Sequence, residues 1–113
     1  MKYGRLRKSW QFRRIYRRGN KYFDRLFVLY VLPNNTEEIR IGLTVTKKVG
    51  ISVQRNRIKR VIREVFRSLK DVKPGIDLVV VARKAAVDLK YLQAQDSITH
   101  LLHRARLIEP GRD

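Results

Sequence analysis

The stretch VQRNRIKRVIREVFRSL, residues 53–69, decides how the chain is read. Ile58, Val61, Ile62, Val65, Phe66 and Leu69 recur at steps of three and four, so they share one face of a helix. At about 100° per residue, Asn56, Lys59, Arg60, Arg63 and Arg67 gather on the far side. Only Glu64 interrupts their charge. Arg55, Lys59, Arg63 and Arg67 stand at successive i,i+4 steps, where like charges destabilise an isolated helix. A helix that needed only solubility would mix the signs. An external polyanion turns this repulsion into attraction.

Apolar runs flank the helix. Before it, IRIGLTVT (residues 39–46) alternates: Ile39, Ile41, Leu43 and Val45 point one way, and Arg40, Gly42, Thr44 and Thr46 the other. After it and the Pro74-Gly75 turn, DLVVVAR (77–83) reads as a central strand. The helix joins these two strands, so a parallel pairing is open to them. Upstream, LFVLYVL (26–32) has the length and the β-branched and aromatic content of a buried strand. Pro33-Asn34-Asn35-Thr36 is turn chemistry, which predicts a hairpin between 26–32 and 39–46. Residues 21–23 read as a short strand or an extended lead-in.

Residues 10–18 read as a short helix with Phe12, Ile15 and Tyr16 on one face and Arg13, Arg14, Arg17 and Arg18 over the rest. Ser9 suits its N-cap and Gly19 its C′ position. Ser52 is the expected cap of the basic helix. Residues 85–89 form an irregular or single-turn link. A final helix over 90–105 has Leu92, Ala94, Ile98, Leu101, Leu102 and Ala105 for its core face. Residues 1–8, with Leu6 as anchor, and 107–113 are expected to be flexible. The predicted order is αβββαβα: one α+β sandwich over residues 1–113, a small mixed sheet with helices packed on it.

A chain of 113 residues supports one modest core. Its net charge is +17, from 27 basic and 10 acidic residues, which speaks to partners rather than to fold. Nucleic acid leads among them. A membrane-surface protein would want an amphipathic helix with Trp or Phe on its apolar face and few core strands. No apolar run approaches the ~18 residues that span a bilayer, and no signal-peptide h-region follows the basic start. The chain has no cysteine, which excludes disulfides, thiolate zinc sites and thiol chemistry and fits a reducing cytoplasm.

Side-chain catalysis finds little support. Nucleases usually rely on a carboxylate cluster for metal or a His pair for acid–base work. Glu37, Glu38, Asp71, Asp77, Asp88 and Asp96 are scattered, and His100 and His103 sit at i,i+3 on the last helix as rim or surface residues. No glycine-rich phosphate loop appears. The expectation is no catalytic residue, no metal ligand and no small-molecule substrate. Binding is better supported, because Arg, Lys and Asn reach phosphates while aromatic rings receive unstacked bases. Phe12 and Tyr16 lie one turn apart among arginines, and Tyr30 lies on a strand that could run beneath them. Core packing is the competing reading for all three rings, and a solvated face is the competing reading for the basic helix. Trp10 stays unassigned.

The run Arg55-Asn56-Arg57-Ile58-Lys59-Arg60-Val61-Ile62-Arg63-Glu64 resembles the signature of the protein subunit of bacterial ribonuclease P. Val45-Thr46-Lys47-Lys48-Val49-Gly50 resembles that family's lead-in. The aromatic pair in a basic helix ending at Gly19, the FVLY strand at 27–30 and the Ala-Arg-Lys after the late strand fall in the family's order. Position 16 is Tyr where the family usually has Phe. The resemblance implies a partner RNA that carries catalysis with its Mg²⁺ ions and removes the 5′ leader of precursor tRNA by hydrolysis. It implies that Arg55, Asn56, Arg57, Lys59, Arg60 and Arg63 face the RNA subunit. It also implies that Phe12, Tyr16 and Tyr30 receive the leader, with Lys47, Lys48, Arg83 and Lys84 along its path. Mg²⁺ would be held mainly by the RNA subunit and the substrate. The family fold implies a left-handed crossover between the parallel strands, against a rule followed in about 98% of cases. A structural RNA-binding protein of ribosomal type is the alternative that composition allows.

Overall fold

The computed structural model describes residues 3–109. In chain order these form β1 (Gly4–Arg5), α1 (Ser9–Arg18), β2 (Asn20–Phe23), β3 (Phe27–Pro33), β4 (Ile39–Thr44), α2 (Ser52–Ser68), β5 (Ile76–Ala82), a 3-10 turn (Lys84–Ala86) and α3 (Tyr91–Arg104). The α+β sandwich is as expected, with one strand more at the front: the order is βαβββαβα. Gly4 and Arg5 pair in parallel with Arg40 and Ile41, and Leu6 is buried. Leu107, in the other segment expected to be loose, is also buried, and its carbonyl accepts from the Lys73 N–H at 2.8 Å. Residues 1–2 and 110–113 lie outside the described residues.

The sheet order is β1-β4-β5-β3-β2. The hairpin expected between β3 and β4 does not form. β5 lies between them, antiparallel to β3 and parallel to β4. The reason is burial. Ile76 to Val80 are all buried, and a strand covered on both faces belongs at the centre of a sheet. The hairpin that does form is β2–β3, closed by Asp24, whose carboxylate accepts from the Leu26 and Phe27 N–H groups at 2.9 Å each. The 34–36 turn is an Asx turn, with Asn34 Oδ1 accepting from Thr36 N at 2.9 Å, and it ends at a strand one step removed.

Two layers of helix enclose the sheet. On one face α2 and α3 pack Ile58, Ile62, Val65, Phe66, Ala94, Ile98, Leu101 and Leu102 against Phe27, Leu29, Val31, Leu78, Val80 and Ala82. Leu92 departs from the predicted core face of α3 and is exposed, while Ser97 is buried and donates to Asp24. On the other face α1 packs Ile15 with Leu6 and Val79, against Phe12, Tyr30, Leu32 and Val81. On this face Arg40 makes a bidentate ion pair with the buried Asp77, at 2.7 and 3.1 Å.

The helix starts also differ from expectation. Ser9 and Ser52 are the first helical residues, and the cap positions are Lys8 and Ile51. The amide of Gln11 accepts from the Lys8 N–H at 3.0 Å, that of Gln54 from Ile51 at 2.9 Å, and that of Gln93 from Lys90 at 3.1 Å. Each helix therefore uses the returning half of a capping box in place of a serine cap. Gly19 ends α1 without a left-handed turn, at φ −74°. What demands glycine is space: a Cβ there would meet the Ile15 carbonyl oxygen at 2.6 Å and that of Val31 at 3.1 Å.

Candidate nucleic-acid interface

The α1 face of the sheet leaves a groove, and strand register defines it. Residues directly opposed across a ladder project to the same face. Lys21, Tyr30, Val79 and Gly42 therefore form one transverse row, and Phe23, Val28, Val81 and Thr44 the next. α1 lies over the first row. Tyr16 meets Tyr30 edge to face at 5.0 Å, and Phe12 lies 6.4 Å from Tyr16. The Tyr16 hydroxyl is hydrogen-bonded to Thr44 Oγ1 at 2.6 Å. The second row is the floor of the groove, three inter-strand steps of about 4.8 Å, or roughly 14 Å, from Thr44 to Phe23.

Phe12, Tyr16 and Tyr30 are thus brought together as the sequence suggested. Ile15 takes the core position of α1, leaving Phe12 and Tyr30 half-buried and Tyr16 37% exposed, so ring area is available to a ligand. Gly42 sets the depth of this cluster. A Cβ at that position would lie 2.5 Å from Phe12 Cζ, so even alanine displaces the ring. Gly42→Ala is expected to keep the far-UV circular dichroism spectrum and to weaken binding of a single-stranded oligonucleotide roughly 3- to 10-fold, read by fluorescence anisotropy.

The cations come from strand direction. Because β4 and β5 run parallel, Lys47-Lys48 and Arg83-Lys84 leave the sheet at the same end, and all four are exposed. Only residues 45–51 separate β4 from α2, so the basic helix begins at that end too. Asn56, Arg57, Arg60 and Arg63 are exposed, whereas Arg55 and Lys59 are half-buried. The Arg55 Nε is buried and has no hydrogen-bond partner among the described residues. A surface groove of about 460 Å³ runs along Asn56, Lys59, Arg60, Arg63, Glu64 and Arg67. α2 lies on the sheet face opposite α1, so the arginine surface and the aromatic groove are distinct. A further cavity of about 380 Å³ links them past the β1 edge, lined by Tyr3, Leu6, Phe12, Lys59, Arg63 and Phe66 among others. The Tyr3 hydroxyl is buried there with no hydrogen-bond partner among the described residues, and burial pushes it above its ordinary pKa.

One residue of this face escaped the sequence reading. Phe23 is 54% exposed at the outer end of the groove floor, and the Arg83 guanidinium stands 6.0 Å from its ring centre. The signal was the alternation of Lys21 and Phe23, legible only once their partners Tyr30 and Val28 are known. Trp10 is exposed on α1. His100 is exposed and His103 half-buried, and among the described residues no group of three His, Asp or Glu side chains could hold a metal ion. No helix among these residues is long and apolar enough to cross a membrane.

Fold and surface together define a class: a small, strongly basic α+β protein with a cationic helix on one side of its sheet and a cation-rimmed aromatic groove on the other. Sequence and structure comparisons narrow the class. The Ribonuclease P family profile matches residues 1–106. The ribonuclease P protein component of Clostridium novyi (strain NT) is 47% identical over 91% of this chain and 94% of its own length. That of Clostridium botulinum (strain Loch Maree / Type A3) is 45% identical over 93% and 96%. Among solved structures, the RNase P protein of Staphylococcus aureus superposes with a TM-score of 0.84 at 39% identity, covering 94% of this chain and 98% of that one. The RNase P protein of Thermotoga maritima gives 0.81 at 30% identity, over 88% and 96%. The chain belongs to the ribonuclease P protein family, the protein subunits of ribonuclease P, and that membership implies an RNA partner.

Proposed function

We propose that this chain docks on the catalytic RNA subunit of ribonuclease P through Arg55, Asn56, Arg57, Lys59, Arg60 and Arg63, and holds the 5′ leader of precursor tRNA in the aromatic groove. It thereby assists Mg²⁺-dependent hydrolytic removal of the leader, in the cytoplasm. The observation that carries this reading is the parallel register of β4 and β5, which gathers Lys47, Lys48, Arg83 and Lys84 at the end of a groove walled by Phe12, Tyr16 and Tyr30. Rings receive unstacked bases and cations hold the phosphates between them. That combination suits a single strand better than a duplex. The docking surface suits structured RNA for a different reason: exposed guanidiniums grip phosphates in pairs, and Asn56 offers both a donor and an acceptor.

The side chains of the described residues do not fit the Mg²⁺ ions. Among them the carboxylates are dispersed, and Asp24 and Asp77 are already held by Ser97 and Arg40. The metal is therefore assigned to the RNA and the precursor, where it would supply the hydrolytic chemistry. This chain's residues bind, orient and neutralise charge.

Reconstitution tests the reading. The purified chain alone is expected to leave precursor tRNA intact, and with the cognate RNA subunit to permit cleavage at low Mg²⁺. In the same assay Arg60→Ala and Arg63→Ala should each flatten the salt dependence of RNA binding by about 0.9 in the log–log slope. No stimulation of the RNA at any Mg²⁺ concentration would leave only a structural RNA-binding role.

A further inference from the structure

We infer that Phe23, with Arg83 and Lys21, forms an outer stacking platform that takes one more base of the single strand beyond the Phe12, Tyr16 and Tyr30 cluster. The inference rests on the leader-binding reading and extends it to a residue which that reading does not use. Four observations carry it.

Phe23 is opposed to Val28 in the β2–β3 ladder, so its ring projects onto the groove face, where Val28 and Val81 form the floor. Tyr30 is its diagonal neighbour, at a separation of roughly 7–8 Å that long side chains can bridge. A chain leaving the Tyr16–Tyr30 pair along the floor meets Phe23 next. Second, the ring is 54% exposed although it sits in an edge strand with core beneath it, so core packing does not account for it.

Third, the surroundings suit a nucleotide. The Arg83 guanidinium stands over the ring, 6.0 Å from its centre, and donates to the Asp24 carbonyl at 2.7 Å, so its charge is held at the ring before any ligand arrives. A planar cation next to an aromatic ring serves base stacking and phosphate neutralisation together. Lys21, two residues back on the same strand face, adds a second cation. Fourth, the neighbouring acid, Asp24, is already engaged: its carboxylate accepts from Leu26 N, Phe27 N and Ser97 Oγ. The strand end itself is anchored, because Arg104 donates to the Phe23 carbonyl at 3.0 Å. The platform is therefore rigid, cationic and open.

The test uses the chain assembled with its RNA subunit and precursor tRNAs whose leaders lengthen one nucleotide at a time. Wild-type affinity is expected to rise with leader length to a plateau. With Phe23→Ala the curve should coincide with wild type for short leaders and stop rising one step earlier, leaving plateau affinity roughly 5- to 150-fold lower. Phe23→Tyr should restore the lost step. A Phe23→Ala curve that follows wild type at every length overturns the inference. So does an equal loss at every length, mature tRNA included, which would make the ring structural. A wild-type affinity indifferent to leader length would instead remove the leader-binding reading, and the platform with it.

Discussion

Tyr16→Ala is expected to weaken precursor tRNA binding by about 1–3 kcal/mol, roughly 5- to 150-fold, while leaving affinity for mature tRNA nearly unchanged. Tyr16 is the most exposed of the three clustered rings, and it is placed by Tyr30 at 5.0 Å and by the hydrogen bond to Thr44. Truncation removes the face on which the proposed leader base would stack and also frees Tyr30 to shift. Mature tRNA has no leader to lose contact. Tyr16→Phe separates the two contributions: it keeps the ring and removes the hydroxyl, so most of the discrimination should survive. Equilibrium binding of both tRNAs to the assembled ribonucleoprotein reads the difference. Equal losses for precursor and mature tRNA would mean that the ring serves only the core.

Ile62→Ala is expected to cost about 2–5 kcal/mol of stability, a large share of the roughly 5–15 kcal/mol that a domain of this kind has in total. Ile62 is fully buried between α2 and the sheet, and a close-packed core relaxes only partly around a truncated side chain, so a cavity remains. No charge on the outer face of α2 changes. Urea unfolding should therefore show a lower midpoint with an unchanged slope. Adding the RNA subunit should recover much of the loss, because a ligand that binds only the folded chain stabilises it by mass action. Docked on α2 as proposed, the RNA would also relieve the repulsion among its cations. A change below about 0.5 kcal/mol would mean that the apolar stripe does not hold the helix in place.

The elements of the fold were largely legible in the residues. The apolar stripe Ile58, Val61, Ile62, Val65 and Phe66 is buried as its period demands, and the charge opposite it is exposed apart from Lys59 and Arg55. What misled were local rules with two solutions. Ser9 and Ser52 look like caps, but Gln11 and Gln54 reach back to the preceding backbone, so the helices begin one residue earlier in register. Gly19 looks like a left-handed terminus, yet it is required because the Ile15 carbonyl of its own helix and the Val31 carbonyl of β3 leave no room for a Cβ. Leu92 fits a helical stripe but is exposed, although Leu89 and Ala94 on either side of it are buried, and Ser97 takes a buried place on that helix to bond Asp24.

By itself the sequence determined the periodicities, the charge on α2 and the identity of the candidate rings, because these depend on residue type and on spacing within one element. The order of the strands was decided only by the tertiary structure. A turn such as 33–36 brings two strands near each other but does not oblige them to pair, and the more deeply buried β5 takes the place between them. From that insertion follow the parallel pairing with β4, the meeting of Lys47-Lys48 with Arg83-Lys84, and the floor that carries Phe23 onto the same face as Tyr30. Alternation says which side chains share a face of one strand. It is silent on which strand lies alongside, since that depends on burying area contributed by residues far apart in the chain.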